Sequence, residues 1–205
     1  MSTPAATVFI VDDDPAVRDS LTLMIGQEDI AVEAFDSAEA FLTAYQGDRC
    51  GCAIIDIRMP GMDGMQLQET LSERDTLLPI IFLTGYGNIP LSVRAIKAGA
   101  VDFLTKPVTR EKLMECVRSA IQAGKKMFAR FASNQEAMSR LNSLTGRERE
   151  VMALAVTGHP NKDIARRLGI SHRTVEIHKS KIMSKTGAAN LLDLARISQE
   201  CGFSA

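Results

Sequence analysis

The sequence predicts an α/β domain with a five-stranded parallel sheet, followed by a smaller all-α domain. Two patterns and a charge asymmetry point there. Over residues 1–122, short β-branched runs alternate five times with stretches of helical period. Strands joined by crossover helices pair in parallel, with helices on both faces of the sheet. Beyond residue 140 there are no strand signals, only apolar residues at helical spacing. The net charge of −1 conceals an acidic half and a basic half. Residues 1–122 hold 10 Lys and Arg against 18 Asp and Glu, a charge of −8; residues 123–205 hold 14 against 7, a charge of +7. A polyanion such as nucleic acid is therefore expected to meet only the second half.

Residues 7–12 form the first strand. Helix 15–27 places Val17, Leu21, Met24 and Ile25 on one face. Strand 30–35 precedes a helix capped by Ser37 and running to Tyr45. Strand 52–57 leads to a short helix at 64–71, and strand 78–83 to a helix at 90–98 that Gly99 stops. Strand 101–104 and helix 109–123 complete five β-α units. Residues 123–140 are polar and basic and read as a linker, helical in part, which sets the domains at 1–122 and 141–205. In the second domain Thr145 and Glu148 have capping-box spacing. Asn161 is expected to cap a helix ending at Leu168, and Ser171 to cap the next, at 172–185.

At 45% hydrophobic and 24% charged residues, the composition is that of an ordinary globular protein. No apolar run approaches the roughly 18 residues that would span a bilayer. The opening residues lack a basic start, so the first apolar run reads as a strand and not as a secretory signal. A cytoplasmic location with no membrane partner is expected. The cysteines, Cys50, Cys52, Cys116 and Cys201, form no paired metal spacing. Cys50-Gly51-Cys52 admits a redox reading, but small buried residues entering a strand are the plainer one.

Ligands of parallel α/β sheets collect at the carboxyl ends of the strands. Here those ends carry Asp12-Asp13, Asp56, Thr84 and, directly after the fifth strand, Lys106-Pro107. Three carboxylates brought together repel one another unless a cation lies between them, and hard oxygen ligands suit Mg2+. With Lys106 as a second positive charge and Thr84 as a hydroxyl donor, the set suits in-line phosphoryl transfer, with Asp56 as nucleophile. Asp14, next to Pro15, is expected to cap the following helix. Capping alone gives no account of Asp56 and Lys106 at two other strand ends.

Residues 7–122 resemble a receiver domain: VDDD at 11–14, DIRMPGMDG at 56–64, TG at 84–85 and KP at 106–107 occur in that family's order and spacing. The resemblance implies a flavodoxin-like sheet of order 2-1-3-4-5 and a cis Lys106-Pro107 bond. It implies Mg2+ held by Asp13, Asp56 and the backbone carbonyl of Arg58, with Asp12 acting through water. It also implies that Thr84 moves toward a phosphoryl group on Asp56, that the small Gly85 leaves access, and that Phe103 reorients into the space vacated. A Phe in such a sheet is otherwise simply core. Tyr86 and Asn88 either tune the lifetime of the phosphoryl group or are surface loop residues.

Helix 161–168, Gly169-Ile170-Ser171 and the helix from His172 make a helix-turn-helix, with small Ala165 at the crossing, Gly169 at positive φ and Val175 between the helices. Val175, His178 and Ile182 share the inner stripe, which makes His178 a packing residue; Arg173, Glu176, Ile177, Ser180, Lys181 and Ser184 lie opposite. Residues 141–200 resemble the LuxR/FixJ/NarL-type effector domain through LTGREREV at 144–151, NKDIARRLGIS at 161–171 and TVEIHKSKIMSKTGA at 174–188. With the receiver, the resemblance is to the FixJ-like subgroup. It implies base reading by Glu176, Ile177 and Ser180, with Ile177 able to meet a thymine methyl. Arg173, Lys179 and Lys181 are expected to hold phosphates, and Thr174 belongs to the same DNA-binding set. Arg166 and Arg167 either join them or are surface charges. Thr186 stands where the family usually has Leu, which leaves the packing of that helix end open. Leu191, Leu192, Leu194, Ala195 and Ile197 make the last helix either core or a dimer contact; a dimer would read half-sites about one helical turn apart.

These readings predict a phosphorylation-controlled transcriptional regulator of a two-component system. A histidine kinase or a small acyl phosphate would phosphorylate Asp56, and the face made by helix 90–98 and strand 101–104 would become a homodimer surface. The dimer would bind double-stranded DNA, with RNA polymerase as a further partner. No enzymatic activity is expected beyond the domain's own phosphorylation and dephosphorylation. A Mg2+-dependent phosphohydrolase is the first rival, because Asp12-Asp13-Asp14 contains an Asp-x-Asp pair; Pro15 and the DNA-binding half disfavour it. A phosphorylation-independent regulator is the second, disfavoured by the intact acidic set.

Overall fold

A computed structural model of the chain describes residues 6–47, 49–74, 76–85 and 89–202; Tyr86 and Asn88 lie outside them. The chain divides into two compact units between Ala129 and Arg130.

The first unit contains strands β1 (Thr7–Val11), β2 (Ala31–Phe35), β3 (Gly51–Ile55), β4 (Ile80–Thr84) and β5 (Asp102–Thr105). They pair in parallel in the order β2-β1-β3-β4-β5, as expected. Helices α1 (Pro15–Gly26), α2 (Ala38–Ala44), α3 (Gly64–Glu73), α4 (Ile89–Lys97) and α5 (Arg110–Asn142) follow the strands in turn. β1, β3 and β4 are buried at every position, which accounts for their continuous apolar runs: a central parallel strand has no solvent face. Alternate residues feed two cores. Phe9, Val11, Ile55 and Phe82 pack with Phe41 of α2, Leu67 and Leu71 of α3, and Ala95 of α4. Val8, Ile10, Ile54 and Leu83 meet Leu21 and Ile25 of α1, and Leu113 and Val117 of α5. Asp14 caps α1, its carboxylate accepting from Ala16 N at 2.9 Å, and Ser37 caps α2. The Lys106-Pro107 bond is cis. Cys50 and Cys52 are free and buried, and burial pushes the Cys52 thiol up to about 12, far from a reactive thiolate.

The largest departure from expectation lies in α5. The expected helix 109–123 and the linker 123–140 form one 33-residue helix. Gly124, at the head of the expected linker, is a packing residue: a Cβ on it would lie 2.4 Å from the carbonyl oxygen of Gly51. A glycine dictated by close approach does not break a helix whose neighbours, Lys125, Lys126, Met127, Ala129 and Arg130, are good helix formers.

The second unit packs α6 (Gly146–Val156), α7 (Asn161–Leu168), α8 (His172–Thr186) and α9 (Leu191–Glu200) around Val151, Met152, Ile164, Val175, Ile182 and Leu194. α7 and α8 form the helix-turn-helix. Gly169 is left-handed at φ 64, and Ser171 caps α8, accepting from Thr174 N at 3.0 Å. The Thr145–Glu148 capping box closes in both directions. Asn161 is not the cap of α7, contrary to expectation. Pro160 takes that position, its carbonyl accepting from Asp163 N at 2.9 Å and Ile164 N at 3.1 Å. The proline ring pre-sets φ for this role, and the Asn161 side chain is engaged elsewhere. Thr186 is buried, and its hydroxyl donates to Ile182 O at 2.8 Å. The residue standing in for Leu thus satisfies its polar atom within its own helix. In α9, Leu194 is buried while Leu192 is exposed. Among the described residues no helix is long and apolar enough to cross a membrane.

Candidate functional site

The strand ends of the first unit converge. Asp12 follows β1 and Asp56 follows β3, 2% and 8% exposed, and the two are bonded alike. Asp12 Oδ2 accepts from Lys106 Nζ at 2.6 Å and its Oδ1 from Asp14 N at 3.1 Å. Asp56 Oδ2 accepts from the same Lys106 Nζ at 2.7 Å and its Oδ1 from Arg58 N at 3.2 Å. The backbone holds this geometry: Asp56 N donates to Val11 O at 2.8 Å, and Lys106 N to Thr84 O at 2.9 Å. Asp13 is exposed, yet one carboxylate oxygen from each of Asp12, Asp13 and Asp56 lies within 4.8 Å of the others.

One lysine among three acids leaves an excess of negative charge. Burial raises the Asp12 pKa above the ordinary carboxylate value, against the Lys106 and Asp14 hydrogen bonds that lower it. Burial alone would depress Lys106, but its bonds to Asp12 and Asp56 hold it above the usual lysine value, so it stays an ammonium. Oxygen donors with uncompensated charge suit a hard divalent cation, and Asp12, Asp13 and Asp56 are the residues that could hold one. Thr84 is buried at the end of β4, and a side chain on Gly85 would meet nothing within 4 Å. Phe103 sits opposite Phe82 across β4 and β5, half-buried at the edge of the core. Arg18 escapes sequence reading: from α1 it donates to Asp12 O at 2.7 Å and fastens the turn. No spacing signals a side chain that bonds only to backbone.

On α8, Val175 and Ile182 are buried and His178 is half-buried, as the inner stripe requires; His178 Nδ1 is buried with no hydrogen-bond partner among the described residues. Arg173, Glu176, Ile177, Ser180 and Lys181 are exposed, and the Glu176 carboxylate lies 3.6 Å from His172 Nδ1. Two residues of the expected DNA-binding set also have partners within the domain. The Thr174 hydroxyl hydrogen-bonds with that of Ser171 at 2.8 Å, within the cap. Lys179 donates to Asn161 Oδ1 at 2.6 Å, so it ties α8 to the first turn of α7. Arg166 pairs with Asp163 on the surface of α7. An ion pair on the buried Glu148 also went unread: Lys185 Nζ lies 2.7 Å from Glu148 Oε2, which accepts from Thr145 N at 2.8 Å. The Lys185 bond, then that of Thr145 N, hold the Glu148 carboxyl down at about 2.

The sequence matches the response regulator receiver domain over residues 8–118, and the luxR family of bacterial regulatory proteins over residues 142–198. The transcriptional regulatory protein FixJ of Bradyrhizobium diazoefficiens is 39% identical over 196 residues, 96% of each chain. The C4-dicarboxylate transport transcriptional regulatory protein DctR of Rhodobacter capsulatus is 43% identical over 193 residues, 93% of this chain and 98% of that one. Among solved structures, the response regulator StyR gives a TM-score of 0.83 at 38% identity, over 96% of this chain and 100% of that one. Full-length FixJ from B. japonicum gives 0.58 at 39% identity, over 98% of each. A receiver followed by a LuxR-type DNA-binding domain, with relatives matched along nearly the whole chain, is the organisation of a DNA-binding regulator: this chain belongs to the FixJ-like response regulators, phosphorylation-controlled transcriptional regulators of two-component systems.

Proposed function

We propose that Asp56 is the phospho-acceptor and that a histidine kinase, or a small acyl phosphate, is the donor. One Asp56 oxygen attacks the phosphorus of the kinase's phosphohistidine; the P–N bond breaks, its electron pair stays on the imidazole, and Asp56 becomes an acyl phosphate. The observation that carries this is the single ammonium of Lys106 at 2.6 Å from Asp12 and 2.7 Å from Asp56, where it can follow charge onto phosphoryl oxygens. Asp13, Asp56 and the Arg58 carbonyl would hold Mg2+, with Asp12 acting through water. When bound, the ion neutralises the phosphoryl oxygens. The domain's own phosphorylation and dephosphorylation are its whole catalysis.

The Thr84 hydroxyl is then drawn to the phosphoryl group past Gly85, and Phe103 turns into the space vacated. The face made by α4 and β5 pairs with a second copy. Ile89, Val93, Ile96 and Val101, 79%, 47%, 46% and 40% exposed, support that surface. Residues 1–122 act as the receiver, 123–140 as a helical connection and 141–205 as the DNA-binding domain. α8 enters the major groove, where Glu176, Ile177 and Ser180 read bases while Arg173, Thr174, Lys179 and Lys181 position the helix on the backbone. The dimer acts in the cytoplasm, with RNA polymerase as a further partner. The test is Asp56→Asn: phosphoryl uptake from acetyl phosphate with Mg2+ should vanish while the circular dichroism spectrum is unchanged. Retained labelling would move the acceptor elsewhere.

A further inference from the structure

α4 is weakly held. Of its nine residues Ala95 alone is fully buried, and Ile89, Val93 and Ile96 face water. Two cavities flank it. One, of 710 Å3, lies between the turn after β3 and the start of α4, with Met59, Leu91 and Arg94 in its lining. The other, of 310 Å3, lies between α3 and the end of α4, lined by Met65, Gln68, Arg94 and Ala98 among others.

Gln68 stands against this loose packing. It lies on the buried face of α3, 4% exposed. Its Nε2 donates to Ala98 O at 3.0 Å, just past the end of α4 where intrahelical donors run out, and more distantly, at 3.4 Å, to Ala95 O, which also accepts from Ala100 N. Its Oε1 is buried and has no hydrogen-bond partner among the described residues. Turning the amide over would aim oxygen at two carbonyls, so the neighbours decide which end donates. A buried orphan acceptor costs stability that a Met of similar length would not. The side chain therefore keeps a donor on α4 despite the penalty at its other atom.

We infer that Gln68 is a positioning residue, a latch that holds the carboxyl end of α4 in its resting place and lets go when α4 shifts toward the flanking cavities. This rests on the proposal that the α4–β5 face pairs in the active state. The test is hydrogen exchange and sedimentation of the full chain without phosphoryl donor, comparing wild type, Gln68→Met and Gln68→Asn; the latter keeps the amide but is one methylene short. Amides of residues 89–99 should exchange about tenfold faster in both variants, with the central strands unchanged. The dimer dissociation constant should tighten about tenfold, the factor expected when a hydrogen-bond pair is lost from the resting state alone. Both shifts should persist in an Asp56→Asn background, which separates the latch from the acceptor assignment. Ile96→Glu in otherwise wild-type protein tests the pairing face itself: intact dimerisation with acetyl phosphate would sink that face and not the latch's grip on α4. Unchanged exchange in α4, or faster exchange with an unchanged dimer constant while Ile96→Glu blocks dimerisation, overturns the latch. Loss of protection through the whole sheet in both variants overturns it too, since Gln68 would then be supporting the core.

Discussion

Glu148→Gln should loosen the carboxyl end of α8, the second helix of the helix-turn-helix, by an amount that vanishes in acid. The Glu148 side chain is 4% exposed and its Oε2 takes hydrogen bonds from Lys185 Nζ at 2.7 Å and Thr145 N at 2.8 Å. Gln keeps the volume and can still accept from Thr145, so the substitution isolates the charge. The carboxyl sits at about 2 against an ordinary 4.5, which at about 1.4 kcal/mol per unit sets a ceiling of roughly 3 kcal/mol. The Lys185 side chain is 36% exposed, so water screens one end of the pair; about 1–2 kcal/mol remains after that discount. Because the folded-state pKa is lowered, the stabilisation is complete above the unfolded value and is lost as pH falls toward the folded one. Urea unfolding followed at the α8 backbone amides by NMR should show wild type ahead by about 1–2 kcal/mol at pH 7 and by less than half of that at pH 3. A gap as large at pH 3 as at pH 7, or none at neutral pH, would refute the reasoning. Specific DNA affinity should fall a few-fold in the same variant at pH 7, because Lys185 fixes where α8 ends.

Mg2+ should raise the melting temperature of the wild-type chain, with roughly 2.7 kcal/mol gained at a hundred times the dissociation constant; Asp13→Asn should weaken Mg2+ binding at least tenfold by calorimetry, and undiminished binding would remove Asp13 from the ligand set. Gly124→Ala should destabilise by about 1–3 kcal/mol in thermal unfolding despite a helix-propensity gain of about 1 kcal/mol, since the new methyl would meet the Gly51 carbonyl oxygen at 2.4 Å; a more stable variant would show that the helix moves at no cost. Lys179→Ala should weaken binding to all DNA sequences alike and reduce the salt slope by about one unit, whereas Asn161→Ala should leave the slope intact because the ammonium remains; a sequence-selective loss would make Lys179 a base reader.

The sheet and the acidic site were legible because both depend on position along the chain. A buried parallel strand must be apolar throughout, and the first residue past its carboxyl end faces the ligand edge, so Asp12, Asp56 and Lys106 announce themselves by where the apolar runs stop. Helix α5 was legible as a helix to residue 123 followed by a linker helical in part, but not as one continuous helix. Gly124 signals a break in sequence, and only the Gly51 carbonyl opposite shows why a glycine stands inside a helix. Lys179 is expected from sequence to hold a phosphate, but nothing in the sequence shows the side-chain Oδ1 of Asn161 at 2.6 Å from its ammonium. Gln68, Arg18 and Lys185 have the same cause of invisibility. Each bonds to a partner at least six and up to 37 residues away, and in the first two cases that partner is a backbone carbonyl that any residue would supply.

The charge of the site and the packing of α4 together explain how a small chemical change can move part of the molecule. Asp12, Asp13 and Asp56 against Lys106 leave two uncompensated negative charges, which a divalent ion would cancel. Under the proposed chemistry, phosphorylation replaces one carboxylate charge by nearly two on the phosphoryl oxygens, so the balance tips by about one charge. Such an imbalance in a largely buried site is worth a few kcal/mol. That cannot displace β1, β3 or β4, whose residues are buried at every position, where a single vacated side chain can cost as much. It is comparable with what holds α4: one buried alanine, the partly buried Leu91 and the Gln68 amide. Under that proposal the response would be confined to α4 and its neighbour Phe103 on β5, where Ile89, Val93 and Ile96 already face water.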